Sequence, residues 1–446
     1  MNPYAEEQVA GRRVVLDRLD RDGAALAELL RERGADVWIA DHAPDVDVPA
    51  GVTLVHERAA AAQRADLLLV DCWTAETAAH VVQARERGIP VGCLADLVLH
   101  EWPTPVIGVT GTAGKTMTTR LIAHLVEAAG WDVLVPPLGR AENAWPSADT
   151  LADLTAGRTP DVLVVELTST HLAYMSASPS IAAVTTLGVD HAELHGGEGR
   201  YIASKQRILI YQQPGDCAIL PHGADALVPR EGVRVLRFDA SEPMAQASRV
   251  APHHRSNVAC AVTVVRDALG VDVDQEDIDS FDAPSWRGEC VGRTGDVAVF
   301  HDGMAATPAK ASAFVRSLPD RSSVLIVGGL VEMDNGPVHA SSTEQRQLRE
   351  ACVEISRAAQ CVVLIGPAAA QVAPLLAQAG ALDVRIGPDL HWAAGEAMRE
   401  ADGAAQIAWV PAFPVELQDR ERFAELIGRA AVSAGRDWAP TPRPAN

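Results

Sequence analysis

Short runs of aliphatic and β-branched residues alternate with Ala- and Leu-rich stretches along the whole chain. RRVVL (12–16), DVWIAD (36–41), DLLLVD (66–71) and IPVGCL (89–94) read as buried strands. AALAELLRERG (24–34) between the first two reads as a helix, with Arg31 and Arg33 in its last turn and Gly34 after it. Few folds accommodate such a pattern. Strands joined through helices run parallel, and their helices cover the sheet faces. The expected class is α/β, and 446 residues are enough for two to four domains.

Composition narrows the partners. With a formal charge of −21, the chain lacks the basic excess expected of a nucleic-acid binder. No apolar run reaches the roughly 18–20 residues that span a bilayer. MNPYAEEQVAGRR has early acids and no apolar core, unlike a secretory signal. The seven cysteines show no CxxC or zinc-finger spacing, which points to reduced thiols and a cytoplasmic protein.

Three segments follow, 1–103, 104–283 and 284–446. The second holds the strands VIGVT (106–110), DVLVVEL (161–167), IAAVTTL (181–187) and DCAIL (216–220). Its helices are TRLIAHLVEAAG (119–130) and NVACAVTVVRDALG (257–270), and its acidic end reads as a linker. The third holds SVLIVGG (323–329), CVVLIG (361–366) and QIAWVP (406–411) as strands, a closing helix RERFAELIGRA (420–430) and a disordered tail APTPRPAN.

GVTGTAGKTMTT (108–119) carries the most chemistry. Strand, glycine-rich turn and helix together aim backbone N–H groups at an anion. Lys115 is placed for the outer phosphates of a nucleotide, and Thr116 offers a hydroxyl to Mg²⁺. Glycines 108, 111 and 114 let the backbone come close. The spacing is a variant of the strict phosphate-loop pattern, because Val109 stands where its first glycine belongs.

TGTxGKT is the form seen in the Mur ligases, which the chain resembles over nearly its whole length, with most similarity to the UDP-N-acetylmuramoyl-alanine–glutamate ligase branch. The resemblance implies a small Rossmann-like N-terminal domain for the acid substrate and a central P-loop ATPase-like parallel sheet that binds ATP. It implies a Rossmann-like C-terminal domain for the acceptor, closing over the nucleotide. Gly111, Thr112, Gly114, Lys115 and Thr116 then form the nucleotide loop. Glu166 in VVELTSTHL and His191 in TTLGVDHAELHG match metal ligands beside Thr116. Lys205 in YIASKQRIL matches a carbamylated lysine, and Asn257 in HHRSN matches the adenine contact. Arg287 in SWRGE matches the arginine on the terminal phosphate, and Asp302 in FHDG the aspartate on the ribose. The implied reaction joins a small-molecule carboxylic acid to an amine, with ATP and Mg²⁺, through an acyl phosphate. Lys115, Lys205, His191 and Arg287 are its catalytic candidates.

The departures concern the substrates. LDRLDRDG (16–23) keeps only Gly23 of a pyrophosphate-binding turn and adds Asp17, Asp20 and Asp22, which repel an anion. DGMAATP (302–308) has Met304 near the family's lysine, and GGLVEMDNG (328–336) also lacks a lysine. Ala113 and Met117 replace polar loop residues, and 236–253 is short for the family. The expected function is an ATP-dependent, ADP-forming acid–amine ligase on a substrate other than UDP-muramoyl-alanine, fitting specialised metabolism. The open alternatives are ATP-dependent activation with intramolecular capture, and a nucleotide-binding pseudoenzyme.

Overall fold

The computed structural model describes residues 2–41, 46–138, 143–247, 250–333, 336–338 and 342–441. It has two compact units, Met1–Val250 with His254–Phe281, and Ala251–His253 with Asp282–Asn446. No helix among the described residues is long and apolar enough to cross a membrane.

The first unit contains two sheets. The N-terminal sheet has five parallel strands: β1 (Arg13–Leu16), β2 (Asp36–Ala40), β3 (Thr53–Val55), β4 (Leu67–Leu69) and β5 (Val91–Gly92). Their order is β3-β2-β1-β4-β5. The chain winds outward from β1 in one direction and then resumes on its other side at β4. The crevice beyond the carboxyl ends of β1 and β4 is therefore a topological switch point. Helix Arg21–Glu32 begins three residues before the apolar pattern suggests. Asp20 caps it, its carboxylate accepting the Gly23 N–H at 2.9 Å.

The second sheet is also parallel: β6 (Val106–Thr110), β7 (Val133–Leu134), β8 (Val162–Glu166), β9 (Ile181–Val184), β10 (Cys217–Pro221) and β11 (Arg234–Phe238). In its order, β11-β10-β9-β6-β8-β7, the buried strand β6 lies between β8 and β9. The short β7 and the largely exposed edge strand β11 give no period-two signal, so sequence patterning misses them. Helix Lys115–Ala128 starts four residues earlier than expected, directly at the glycine turn. The helix expected at 257–270 is α-helical over Arg255–Val262 and has wider turns over Thr263–Ala268. The acidic stretch expected as a linker contains helix Gln275–Asp279, whose Ile278 packs into the second sheet's core.

The second unit has a seven-stranded mixed sheet. Its strands include β12 (Glu289–Thr294), β13 (Val297–His301) and β14 (Ser323–Gly328), followed by a small separate hairpin of β15 (Glu332–Met333) and β16 (Gly336–Pro337). β17 (Ala359–Ile365), β18 (Val384–Gly387), β19 (Gln406–Trp409) and β20 (Ala439–Pro440) complete the sheet. The order is β18-β17-β14-β19-β13-β12-β20, with β12 antiparallel to both neighbours. The tail expected as disordered from 439 thus begins as a strand, and 442–446 lie outside the described residues. All seven cysteines are free, and five are buried.

One buried acid ties the N-terminal sheet to the second. Asp96, on helix Leu94–Glu101, is 1% exposed. It accepts from the Tyr4 hydroxyl (2.8 Å), the Ser176 N–H (2.7 Å), the Ser176 hydroxyl (2.8 Å) and the Ala177 N–H (3.1 Å). Asp96→Ala leaves these donors without their acceptor. The expected loss is about 3 kcal/mol, read as a drop of several degrees in the first unit's thermal midpoint.

Candidate active site

The carboxyl ends of β6, β8 and β9 bring the loop, an acid and two threonines together. Glu166 ends β8 beside Val109, and Thr185 follows β9 beside Thr110. The loop is pinned to β9's end. Thr112 N–H donates to Thr186 O (3.1 Å), and Ala113 N–H donates to Thr186 Oγ1 (2.9 Å). Thr185 and Thr186 hydroxyls both donate to Ala113 O. Gly111 has φ +149°, and a Cβ there would lie 2.0 Å from Thr185 Oγ1. Gly114, at φ +85°, caps helix Lys115–Ala128, whose first-turn N–H groups face the loop's mouth.

Two lysines converge on one carbonyl. Lys115 Nζ donates to Gly111 O at 3.2 Å, and Lys205 Nζ to the same oxygen at 3.3 Å. Lys205 is 1% exposed and also donates to Thr110 Oγ1 at 2.9 Å. Across the mouth, the Thr116 hydroxyl donates to Glu166 Oε2 at 2.7 Å and lies 3.0 Å from Asn143 Oδ1. Glu166 is 1% exposed, with Oε1 3.9 Å from Lys115 Nζ. A buried carboxylate, a hydroxyl and an amide oxygen are hard donors of the kind Mg²⁺ takes. Asn143 and Thr110 were not singled out from the sequence. Asn143 sits in an unpatterned stretch, while Thr110's position just before the loop is a usable signal.

The other sequence candidates fall as follows. Thr112 holds the loop rather than facing its mouth: its hydroxyl meets Tyr201 OH and accepts from the Gly188 N–H, both at 3.0 Å. Asn257 is buried against Gly114, where an added Cβ would meet its Oδ1 at 2.1 Å, and its amide meets His254 Nδ1 at 3.0 Å. His191 has a half-exposed side chain and the uncommon φ of +53°, with Asp190 and Glu193 at 3.6 and 3.4 Å. Arg287 and Asp302 belong to the second unit. Arg287 Nη1 donates to Ser285 O at 3.2 Å. Burial pushes the Asp302 carboxyl up to about 7, against the opposing pull of Arg287, the Gly288 N–H and Lys310.

A cavity of about 60 Å³ opens beside the switch point of the N-terminal sheet. His171, absent from the sequence candidates, is one of its walls and is buried next to the loop. Burial, then the charges of Lys205 and Lys115, push its imidazole down to about 3. The same ring thus borders the cavity and feels the charges of Lys205 and Lys115.

Residues 109–273 match the family model of the Mur ligase middle domain. A UDP-N-acetylmuramoylalanine–D-glutamate ligase of Desulfosudis oleivorans is 29% identical over 379 residues, 74% of this chain and 78% of that protein. The central part of the chain is thus similar to the Mur ligase middle domain, and a relative that carries the name of an amide-forming ligase matches about three quarters of it. An enzyme of the same name from Oleidesulfovibrio alaskensis is 30% identical over 240 residues, about half of each chain at 52%. The fold matches the MurF ligase of Thermotoga maritima in complex with ADP, with a TM-score of 0.59, 15% identity and 97% of both chains covered. It also matches the UDP-N-acetylmuramate–alanine ligase MurC of that organism, with a TM-score of 0.54, 16% identity, and 95% of this chain and 99% of that one covered.

Against that family the departures gain a physical form. Met304 stands near the expected lysine, and the Arg420 guanidinium lies 3.3 Å from its sulfur, so a cation reaches this place from helix Leu417–Ser433. Residues 334–335 of the second lysine-free turn lie outside the described residues. Asp17, expected to repel a pyrophosphate, is instead bound to the Asp71 N–H, the Thr74 hydroxyl and His80.

Two outcomes check this geometry. Gly111→Ala, strained in φ and colliding with Thr185, abolishes ATP binding by calorimetry. The second concerns Asp302, whose proton the folded protein holds up to about pH 7, whereas an unfolded chain releases it near pH 4. Its favourable contribution is full below about pH 4 and is lost as pH climbs through about 7. Without nucleotide, Asp302→Asn therefore melts several degrees above the parent at about pH 8, and the gap closes by about pH 4.

Proposed function

We propose that the protein is a carboxylate–amine ligase that forms an acyl phosphate from an acid other than UDP-muramoyl-alanine. The convergence of Lys115 and Lys205 on Gly111 O, facing the Thr116–Glu166 pair, carries this reading. ATP supplies the activation. A carboxylate oxygen of the acid attacks the γ-phosphorus, the bond to the bridging oxygen breaks, and ADP leaves. The amine nitrogen then attacks the carbonyl carbon, phosphate departs, and the nitrogen loses a proton.

In this reading Lys115 and the first-turn N–H groups hold the outer phosphates and neutralise charge that grows in the transition state. Thr116, Glu166 and His191 are the assigned holders of Mg²⁺, which supplies electrostatic stabilisation to the phosphoryl oxygens. Lys205 lies beside the loop's first carbonyl, where it sets the charge at the site of phosphoryl transfer. Gly111, Gly114 and Asn257 are assigned to the nucleotide, as are Arg287 on the terminal phosphate and Asp302 on the ribose. Thr112's assigned part is to shape the loop. The three segments 1–103, 104–283 and 284–446 are assigned to acid, ATP and acceptor.

The two glutamate ligases named above act, by their names, on a UDP-linked acid and D-glutamate. Here, the N-terminus of helix Arg21–Glu32 is capped by Asp20, and its first turn carries Asp22. A pyrophosphate placed there meets two carboxylates instead of open N–H groups. This supports a different acid, as specialised metabolism uses.

Calorimetry with Mg-ATP on the parent and on Lys115→Ala tests the reading. The parent binds, and the variant binds about a hundredfold more weakly, as befits loss of a phosphate-paired ammonium. Parent protein then releases ADP when the right acid is added. Equal binding by both proteins, or none by either, sinks the proposal.

A further inference from the structure

The cavity at the switch point has more negative charge than its structural tasks require. Asp20 caps helix Arg21–Glu32, and Asp22 accepts the Ala148 N–H at 2.7 Å. Asp71 has no comparable backbone duty among its described bonds. Arg18, 3.5 Å from both Asp20 and Asp71, is the cation among the described lining residues. Burial raises the Asp22 and Asp71 carboxyls above the usual range, and the charges of Asp17 and Asp20 raise Asp71 further. Structural caps account for two of these acids but not for the surplus.

The same cavity is lined by two ring N–H donors. Thr168 caps helix Ser169–Tyr174, and His171 returns the bond, its Nδ1 accepting the Thr168 N–H at 3.2 Å. With Nδ1 an acceptor and the ring neutral, the proton resides on Nε2. His171 is 4% exposed, and its described side-chain hydrogen bond is the one at Nδ1, which leaves Nε2 to the cavity it lines. The Trp145 indole N–H, buried in the same wall, has no partner. Trp145 packs edge-on to His171 at 5.6 Å and to Trp73 at 5.4 Å between ring centroids. The Trp145 and His171 rings thus line the same cavity as the carboxylates.

We propose that this cavity receives a cationic nitrogen, ammonium or guanidinium, borne by the acid substrate, while His171 Nε2 and Trp145 Nε1 donate to a carbonyl or hydroxyl oxygen of the same molecule. The proposal rests on the ligase reading and names the class of acid it takes. The charges of Lys205 and Lys115 reach His171, which links this recognition site electrostatically to the candidate nucleotide loop. A pyrophosphate is excluded there by Asp20 and Asp22.

The test is calorimetry on the full chain with L-arginine and agmatine as cationic probes and uridine diphosphate as the anionic one. Each is titrated into the parent, Asp71→Asn and Trp145→Phe. The cationic probes bind the parent, and uridine diphosphate does not. Asp71→Asn weakens both cations about tenfold or more, the worth of a hydrogen bond to a charged group. Trp145→Phe weakens arginine more than agmatine, which lacks the carboxylate oxygens. A thermal melt matching the parent's shows that each variant is folded. Binding of uridine diphosphate, no binding of either cation at millimolar concentration, or cation binding unchanged by Asp71→Asn overturns the proposal. Any of these results in a protein that still binds Mg-ATP through Lys115 defeats the cationic site alone. Loss of ATP binding in the parent defeats the ligase reading itself.

Discussion

One carbonyl oxygen organises the candidate nucleotide site. Gly111 O accepts from Lys115 and Lys205, two cations that would otherwise repel each other across a few ångströms. Their closeness is tolerable because Glu166 lies 3.9 Å from Lys115 and Thr110 accepts from Lys205. The loop can present that carbonyl because Gly111 takes a φ that other residues rarely adopt, and because Thr185 and Thr186 hold Ala113. The site is thus fixed by hydrogen bonds between strand ends before any phosphate arrives. In the proposed reaction, such preorganisation would let the charges stabilise a transition state without first rearranging.

The same economy shapes the N-terminal sheet. A helix start at a switch point is a natural anion seat. Here Asp20 occupies the seat and Asp17 fastens the neighbouring loop through His80 and Thr74. The local fold is kept, while its electrostatic sign is reversed. Met304 and Arg420 show a similar exchange in the second unit, where a guanidinium from a distant helix reaches the position of an expected lysine.

Much of this was legible from residues alone. VIGVT, GTAGKT and VVELT each combine a strand with a chemically committed turn, so Lys115, Thr116 and Glu166 could be named before their distances were known. Asn143, Thr185 and Thr186 could not, because their work is to hold partners far off in sequence. Thr112 illustrates the limit. Its place in TGTAGKT suggests a nucleotide contact, but its hydroxyl is engaged by Tyr201 and Gly188. His171 was missed for a related reason: a histidine in a serine- and threonine-rich turn is ordinary until a capping bond fixes its tautomer.

The amino-acid order by itself determined the α/β class, the parallel sheets and the phosphate loop, since hydrophobic period and glycine placement act over a few residues. It also determined that the first βα turn carries acids where a pyrophosphate seat needs glycines. Tertiary structure alone decided which acids are tied down and which face a cavity. It alone brought Trp145 and His171 to the cavity that Asp71 lines, and Arg420 to Met304. These are contacts between residues tens to more than a hundred positions apart, set by strand order and helix packing, and no local pattern encodes them.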